Sequence, residues 1–146
     1  MSERIGVVGS REGVEKANVE QFLDALLSEE PGSVVVSGGA KGVDTWAETG
    51  WLQRGGSVVS YRPRAMHKPN EIESWAITKL TMGWMPSVEI LSVPTFADIT
   101  SALFYRNCLI VDDVERLVAF HAFASAGTAH AKAYATDRGV PVYDML

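Results

Sequence analysis

The sequence predicts a doubly wound α/β fold: a single Rossmann-like, mostly parallel sheet with helices on both faces. Three observations lead there. The chain has 146 residues, the size of one domain, and such a chain can bury roughly 70% of its unfolded surface without staples. Short β-branched apolar runs alternate with longer amphipathic stretches, the pattern of strand–helix crossovers. Glycine-rich turns follow several of the runs.

The runs fall at residues 5–8, 34–36, 58–59, 88–91, 117–120 and 140–143. Most lack polar alternation, as strands covered on both faces do. Between them, Val19, Phe22, Leu23 and Leu26 follow helical spacing, as do Val43, Trp46, Ala47 and Gly50, with Trp51 extending the stripe. A third helix is expected from Asn70, where Asn70 and Glu73 form a capping box, with Ile72, Trp75, Ala76 and Leu80 as its stripe. A fourth is expected over about residues 101–112 and a fifth over 128–138, stopped by Gly139 and Pro141.

Composition excludes several classes. At 47% hydrophobic and 21% charged residues the chain is globular, and with Cys108 as its one cysteine it is no disulfide scaffold. Cys108 itself reads as a small core residue. No stretch resembles a signal peptide or the roughly 20 apolar residues of a spanning helix, so a cytoplasmic protein without membrane contact is expected. His67, His121 and His130 are too scattered for a metal site, and none is expected. The net charge of −5 argues against bulk affinity for polyanions. The one clear basic cluster, residues 62–68, reads first as a solvated loop and second as a cap over a phosphorylated ligand.

Open parallel sheets bind ligands beyond the carboxyl ends of their strands, where helix N-termini offer N–H groups to anions. Three small-residue loops occupy that edge: Gly9-Ser10-Arg11, then Ser37-Gly38-Gly39-Ala40-Lys41-Gly42-Val43-Asp44, then Ser125-Ala126-Gly127-Thr128 after His121. Neither the spaced glycines of a dinucleotide loop nor the Gly-Lys-Ser/Thr ending of a Walker loop is present. The residue types still suit a phosphate or nucleotide. Arg106 can fork onto an anion. Thr128 sits near a helix start. Asp44 reads equally as a ribose acceptor or as a first-turn helix carboxylate.

The segments IGVVGSRE, VVSGGAKGVDTWAE, YRNCLIVDD and SAGTAHAKAYATDRGVPVY, in that order, resemble the SLOG superfamily of Rossmann-like domains. That superfamily includes the DNA-processing protein A family, the Lonely Guy phosphoribohydrolases and the YspA-like proteins, the last being the nearest in these blocks. The segment at about 62–100 departs from the pattern and reads as an insertion or divergent cap. The resemblance implies ligand contacts from Gly38, Gly39, Gly42 and Asp44, from the Arg106-Asn107 pair and from Gly127-Thr128. With Gly9, Ser10, Arg11, Lys41, His121 and Ser125 from the loop reading, these make up the expected ligand site. The glutamate that Lonely Guy enzymes carry three residues after their Gly-Thr is Ala131 here. Glu48 and Asp44 are the substitute candidates, with Asp112 and Asp113 behind them, although Glu48 reads more simply as a solvated helix residue.

The expected function is therefore binding of a nucleotide or NAD/ADP-ribose-type ligand, as sensor or sequestering protein, with no cofactor required. An N-glycosidase with a relocated carboxylate and a single-stranded nucleic-acid binder are the alternatives. Nucleic acid is expected to be an unlikely partner, because charge and buried tryptophans leave no long groove. The apolar helix faces and the pairing common among related proteins imply a homo-oligomer.

Overall fold

A computed structural model describes residues 3–66, 74–91, 95–121 and 125–145. Seven strands form one sheet in the order β5-β4-β3-β2-β1-β6-β7. They are β1 (Arg4–Gly9), β2 (Val34–Ser37), β3 (Ser57–Met66), β4 (Ser74–Met82), β5 (Ser87–Ile90), β6 (Arg116–Phe120) and β7 (Val142–Asp144). The helices are α1 (Lys16–Glu29), α2 (Val43–Gln53), α3 (Ile99–Asp112) and α4 (Ala126–Asp137). Strands β3, β2, β1, β6 and β7 pair in parallel, while β4 pairs antiparallel with β3 and β5 antiparallel with β4.

Because side chains alternate along a strand, the β-branched runs feed two cores at once. Ile5, Val7, Val35, Val58, Val118 and Phe120 pack with Val19 and Leu23 of α1 and Ala47 and Trp51 of α2. Val8, Val36, Val59, Leu117 and Ala119 pack with Ala102, Ile110 and Val111 of α3 and Ala131 and Ala135 of α4. This is the doubly wound arrangement expected. No helix among the described residues is long and apolar enough to cross a membrane.

Two expectations fail on the β3 side of the sheet. The expected third helix is wrong where it can be seen, because Trp75, Ala76 and Leu80 lie in β4; its proposed start at residues 70–73 lies outside the described residues. Four apolar positions at helical spacing cannot outweigh Ile77, Thr78 and Thr81, whose branched side chains suit a strand. A full antiparallel ladder from Val58↔Met82 to Met66↔Ser74 captures the segment. The 88–91 run is a strand, yet an exposed antiparallel edge and not a buried parallel one. At the opposite edge β7 begins two residues later than the apolar run. Pro141 has no N–H to give, and its carbonyl instead accepts from the Leu117 N–H at 2.8 Å.

Trp51 ties α2 to the sheet. Its indole is fully buried and donates to the Ser33 carbonyl at 2.9 Å. Trp51→Phe leaves that carbonyl without its partner, so a loss of about 1–3 kcal/mol is expected in urea unfolding. An unchanged midpoint and slope would show that the bond contributes nothing.

Candidate functional site

Strand order reverses at β1: β2 and β3 lie to one side, and β6 and β7 to the other. Such a switch point opens a crevice at the carboxyl edge, and here it is a cleft of about 510 Å³. One wall is the turn after β1, from Val8 through Gly9, Ser10 and Arg11 to Glu12, with Ala40 and Asp44 beside it. The facing wall is α3, through Thr100, Leu103, Phe104, Arg106 and Asn107. The start of α4, Ser125 to Thr128, closes the end.

The α4 end is prepared for an anion. Ser125 caps the helix, its hydroxyl accepting from the Thr128 N–H at 3.4 Å and donating to the Thr128 hydroxyl at 3.2 Å. The N–H groups of Ala126 and Gly127 have no acceptor among the described residues. A Cβ placed on Gly127 would meet nothing within 4 Å, so its missing side chain leaves cleft volume open. Asn107 ties the α3 wall to the α4 end, donating to the Gly127 carbonyl at 3.1 Å and accepting from Arg106 Nε at 3.1 Å.

Arg106 is buried, with Nη1 donating to the Gly38 carbonyl at 2.6 Å. Its guanidinium occupies the place where a Gly38 side chain would be, since a Cβ there would lie 2.3 Å from Nη1. Burial pushes the Arg106 pKa down, against the attraction of Asp44 and Glu48. Asp44, in the first turn of α2, is buried and accepts from the Ala40 N–H at 3.3 Å. Burial pushes its pKa up to about 6, with Glu48 adding repulsion and Arg106 opposing.

The expectation of a solvated Glu48 is corrected: it is buried and fully engaged. One oxygen accepts from the Gly39 N–H at 2.8 Å and the Ser60 hydroxyl at 3.1 Å, and the other pairs with Arg62 at 2.7 Å. Gly39 (φ 69°) and Gly42 (φ 88°) have left-handed backbone, which a side chain resists. A Cβ on Gly39 would also strike Arg62, and one on Gly42 the Arg11 carbonyl.

The expected residues thus divide into three groups. Gly9, Ser10, Arg11, Asp44, Arg106, Asn107, Ser125, Gly127 and Thr128 line the cleft together. Gly38, Gly39 and Gly42 shape it from behind. Lys41 points to solvent, and His121 stands outside the lining, its Nε2 accepting from the Ser125 N–H at 3.0 Å. Asp112 and Asp113 are removed as candidates, since they end α3 at the amino edge, where Asp113 pairs with Arg4. Cys108 is half-buried. His67 lies outside the described residues, and no metal-ligating cluster occurs among those described.

Leu103 and Phe104 were missed by sequence reading. They lie three residues before Arg106 and Asn107 on α3, so helical spacing from that pair points to them. They give the cleft an apolar side, and Phe104 stacks on His130 with ring centroids 4.4 Å apart.

Fold and loops together define a SLOG-type Rossmann-like domain. Within that class the chain belongs to the DNA recombination-mediator protein A family, whose model matches residues 1–145. The finer likeness to YspA-like proteins stays a resemblance. No curated protein matches the chain significantly in sequence. Among solved structures, it is similar to DNA processing protein A from Helicobacter pylori, described by its single-stranded DNA binding mode, at 16% identity and TM-score 0.65. It is similar to the same protein from Streptococcus pneumoniae at 22% identity and TM-score 0.68, and to TM1055 at 21% and 0.63. These alignments cover 97%, 97% and 96% of this chain but 64%, 50% and 72% of those chains, in the same order. At such identities the likeness is one of fold. The family and the Helicobacter pylori relative together overturn the expectation that nucleic acid is an unlikely partner. Net charge misled because it averages over the surface, whereas binding responds to local potential.

The raised pKa of Asp44 has a stability consequence. Asp44 holds its proton more tightly folded than unfolded, so its contribution is complete below its ordinary value of 3.8 and lost as pH rises through about 6. Relative to Asp44→Asn, the native chain should lose about 2.4 kcal/mol between pH 4 and pH 7, most of the full difference, since each pH unit separating the folded and unfolded titrations is worth about 1.4 kcal/mol. Urea unfolding of both proteins across that range checks this. A pH-independent difference would show that Asp44 keeps an ordinary acidity.

Proposed function

We propose that the cleft seats one nucleotide of a single-stranded nucleic acid. The observation that carries this reading is the cleft's two-part lining. Arg11 and the N–H groups of Ala126 and Gly127, which have no acceptor among the described residues, are placed to meet a phosphate, while Leu103 and Phe104 offer the remainder of the nucleotide an apolar surface. A helix N-terminus and a free guanidinium are standard phosphate partners, and bases add affinity by packing on aromatic or apolar groups. Membership of the DNA recombination-mediator family supports a strand, as does the ligand described for the Helicobacter pylori relative.

A free nucleotide or NAD-derived ligand is the second reading, favoured by the volume of about 510 Å³, which suits a small molecule. Glycosidic cleavage has less support. Ala131, where a Lonely Guy carboxylate would stand, is fully buried in the core, and the oxygens of Glu48 are committed to Gly39, Ser60 and Arg62.

Gly127→Leu separates binding from folding. A Cβ at residue 127 meets nothing within 4 Å, so the new side chain projects into the cleft and should shift stability by no more than about 0.5 kcal/mol. It should weaken a fluorescein-labelled four-residue oligothymidylate by tenfold or more in anisotropy titrations, about 1.4 kcal/mol. Retained affinity in a folded variant would move the binding site elsewhere. Thymidine monophosphate competing better than the oligonucleotide, mole for mole, would favour the free-ligand reading.

A further inference from the structure

Ion pairing of the arginines in this acidic chain differs between the two edges of the sheet. At the amino edge of the sheet, Arg4, Arg54, Arg116 and Arg138 are all ion-paired with carboxylates. At the carboxyl edge, Arg11, Lys41 and Arg64 are exposed and have no ion pair among the described residues. Arg62 has Glu48 as its partner, yet its side chain remains 42% exposed. The net charge of −5 therefore hides a face with unpaired positive charge.

Register shows what that face is. Residues 57–60 of β3 pair with β2, but the strand runs on to Met66 with only β4 alongside. Six further residues at about 3.3 Å each make an arm that can project roughly 20 Å past the neighbouring strand end. Arg62 and Arg64 share the face of Ser60, whose hydroxyl meets Glu48 of α2, because every second residue of a strand faces the same way. The opposite face of the arm is taken up by Tyr61 and Ile77, which pack into the α3 core.

The arm joins the cleft through two glycines. The guanidinium of Arg106, in the cleft wall, rests against Gly38, and that of Arg62, at the base of the arm, rests against Gly39. From β1 to β3 is two strand spacings, or about 10 Å. Cleft, glycine loop and arm thus form one surface longer than a single nucleotide, carrying Arg11, Lys41, Arg62 and Arg64. Among the described residues, opposing charge on this edge comes from exposed Glu12, Glu15 and Asp98, none of them on the arm, whereas Asp44 and Glu48 are buried.

We infer that a strand seated in the cleft continues over the glycine loop and along the arginine face of the β3–β4 arm, where Arg64 contacts a second phosphate. This rests on the reading of the cleft as a nucleotide seat. It gives the cluster at 62–64 a partner, the polynucleotide backbone, and it predicts a dependence on strand length that a one-nucleotide pocket lacks.

Labelled oligothymidylates of 4 and 20 residues, titrated by anisotropy against the native chain, Arg64→Glu and Arg64→Lys, test it. The longer strand should bind the native chain at least tenfold tighter than the shorter. Arg64→Glu should weaken the longer strand by fivefold or more and leave the shorter one within twofold, while Arg64→Lys restores binding. The slope of log K against log salt for the longer strand should fall by about 0.7 in Arg64→Glu, the loss of one single-strand phosphate contact. Equal affinity for the two lengths, or a longer strand indifferent to Arg64→Glu, overturns the path while leaving the cleft reading intact. Failure of the native chain to bind either length overturns both.

Discussion

The geometry of the carboxyl edge depends on one buried carboxylate. Glu48, one helical turn after Asp44, receives the Gly39 N–H, the Ser60 hydroxyl and the Arg62 guanidinium on its two oxygens. A lone carboxylate in that position would be strongly destabilising, and only this full set of donors makes it tolerable. The same set joins α2, the β2–α2 loop and β3, so the loop cannot shift without breaking a charge-assisted bond. Loop shape and arm position are thus two consequences of one interaction.

A second acid–arginine arrangement repeats the pattern one turn earlier. Asp44 stabilises the charge of buried Arg106, and Arg106 holds the Gly38 carbonyl. Adjacent glycines therefore each accommodate an arginine from a different element, one from α3 and one from β3. Any side chain at either position would displace a guanidinium. The glycine pair is needed less for a ligand's approach than for that of the protein's own arginines. In the proposed reading, ligand contacts fall instead to Arg11, the α4 N-terminus and the apolar wall of α3.

Much of this was legible in the sequence. Both helix pairs and the parallel strands follow from periodicity, because burial on two faces leaves few other arrangements for β-branched runs. The loops after β1, β2 and β6 were recognisable as one edge. The antiparallel side of the sheet was not, since Trp75, Ala76 and Leu80 fit either period and only pairing with β3 decides between them. Glu48 was misread because a carboxylate on a helix is ordinarily solvated, and its partners Gly39 and Arg62 lie 9 and 14 residues away. The difference in ion pairing between the two edges was also invisible, since it arises only when strand ends are brought side by side.

In the proposed reading, nucleic acid enters at the β1–β6 switch point. Backbone amide chemical shifts followed during titration with a short oligothymidylate test it most directly. The largest changes should fall on residues 9–12 and on Ala126, Gly127 and Thr128, with smaller ones at Leu103 and Phe104. Changes concentrated on the exposed β4–β5 edge, with those residues silent, would contradict it.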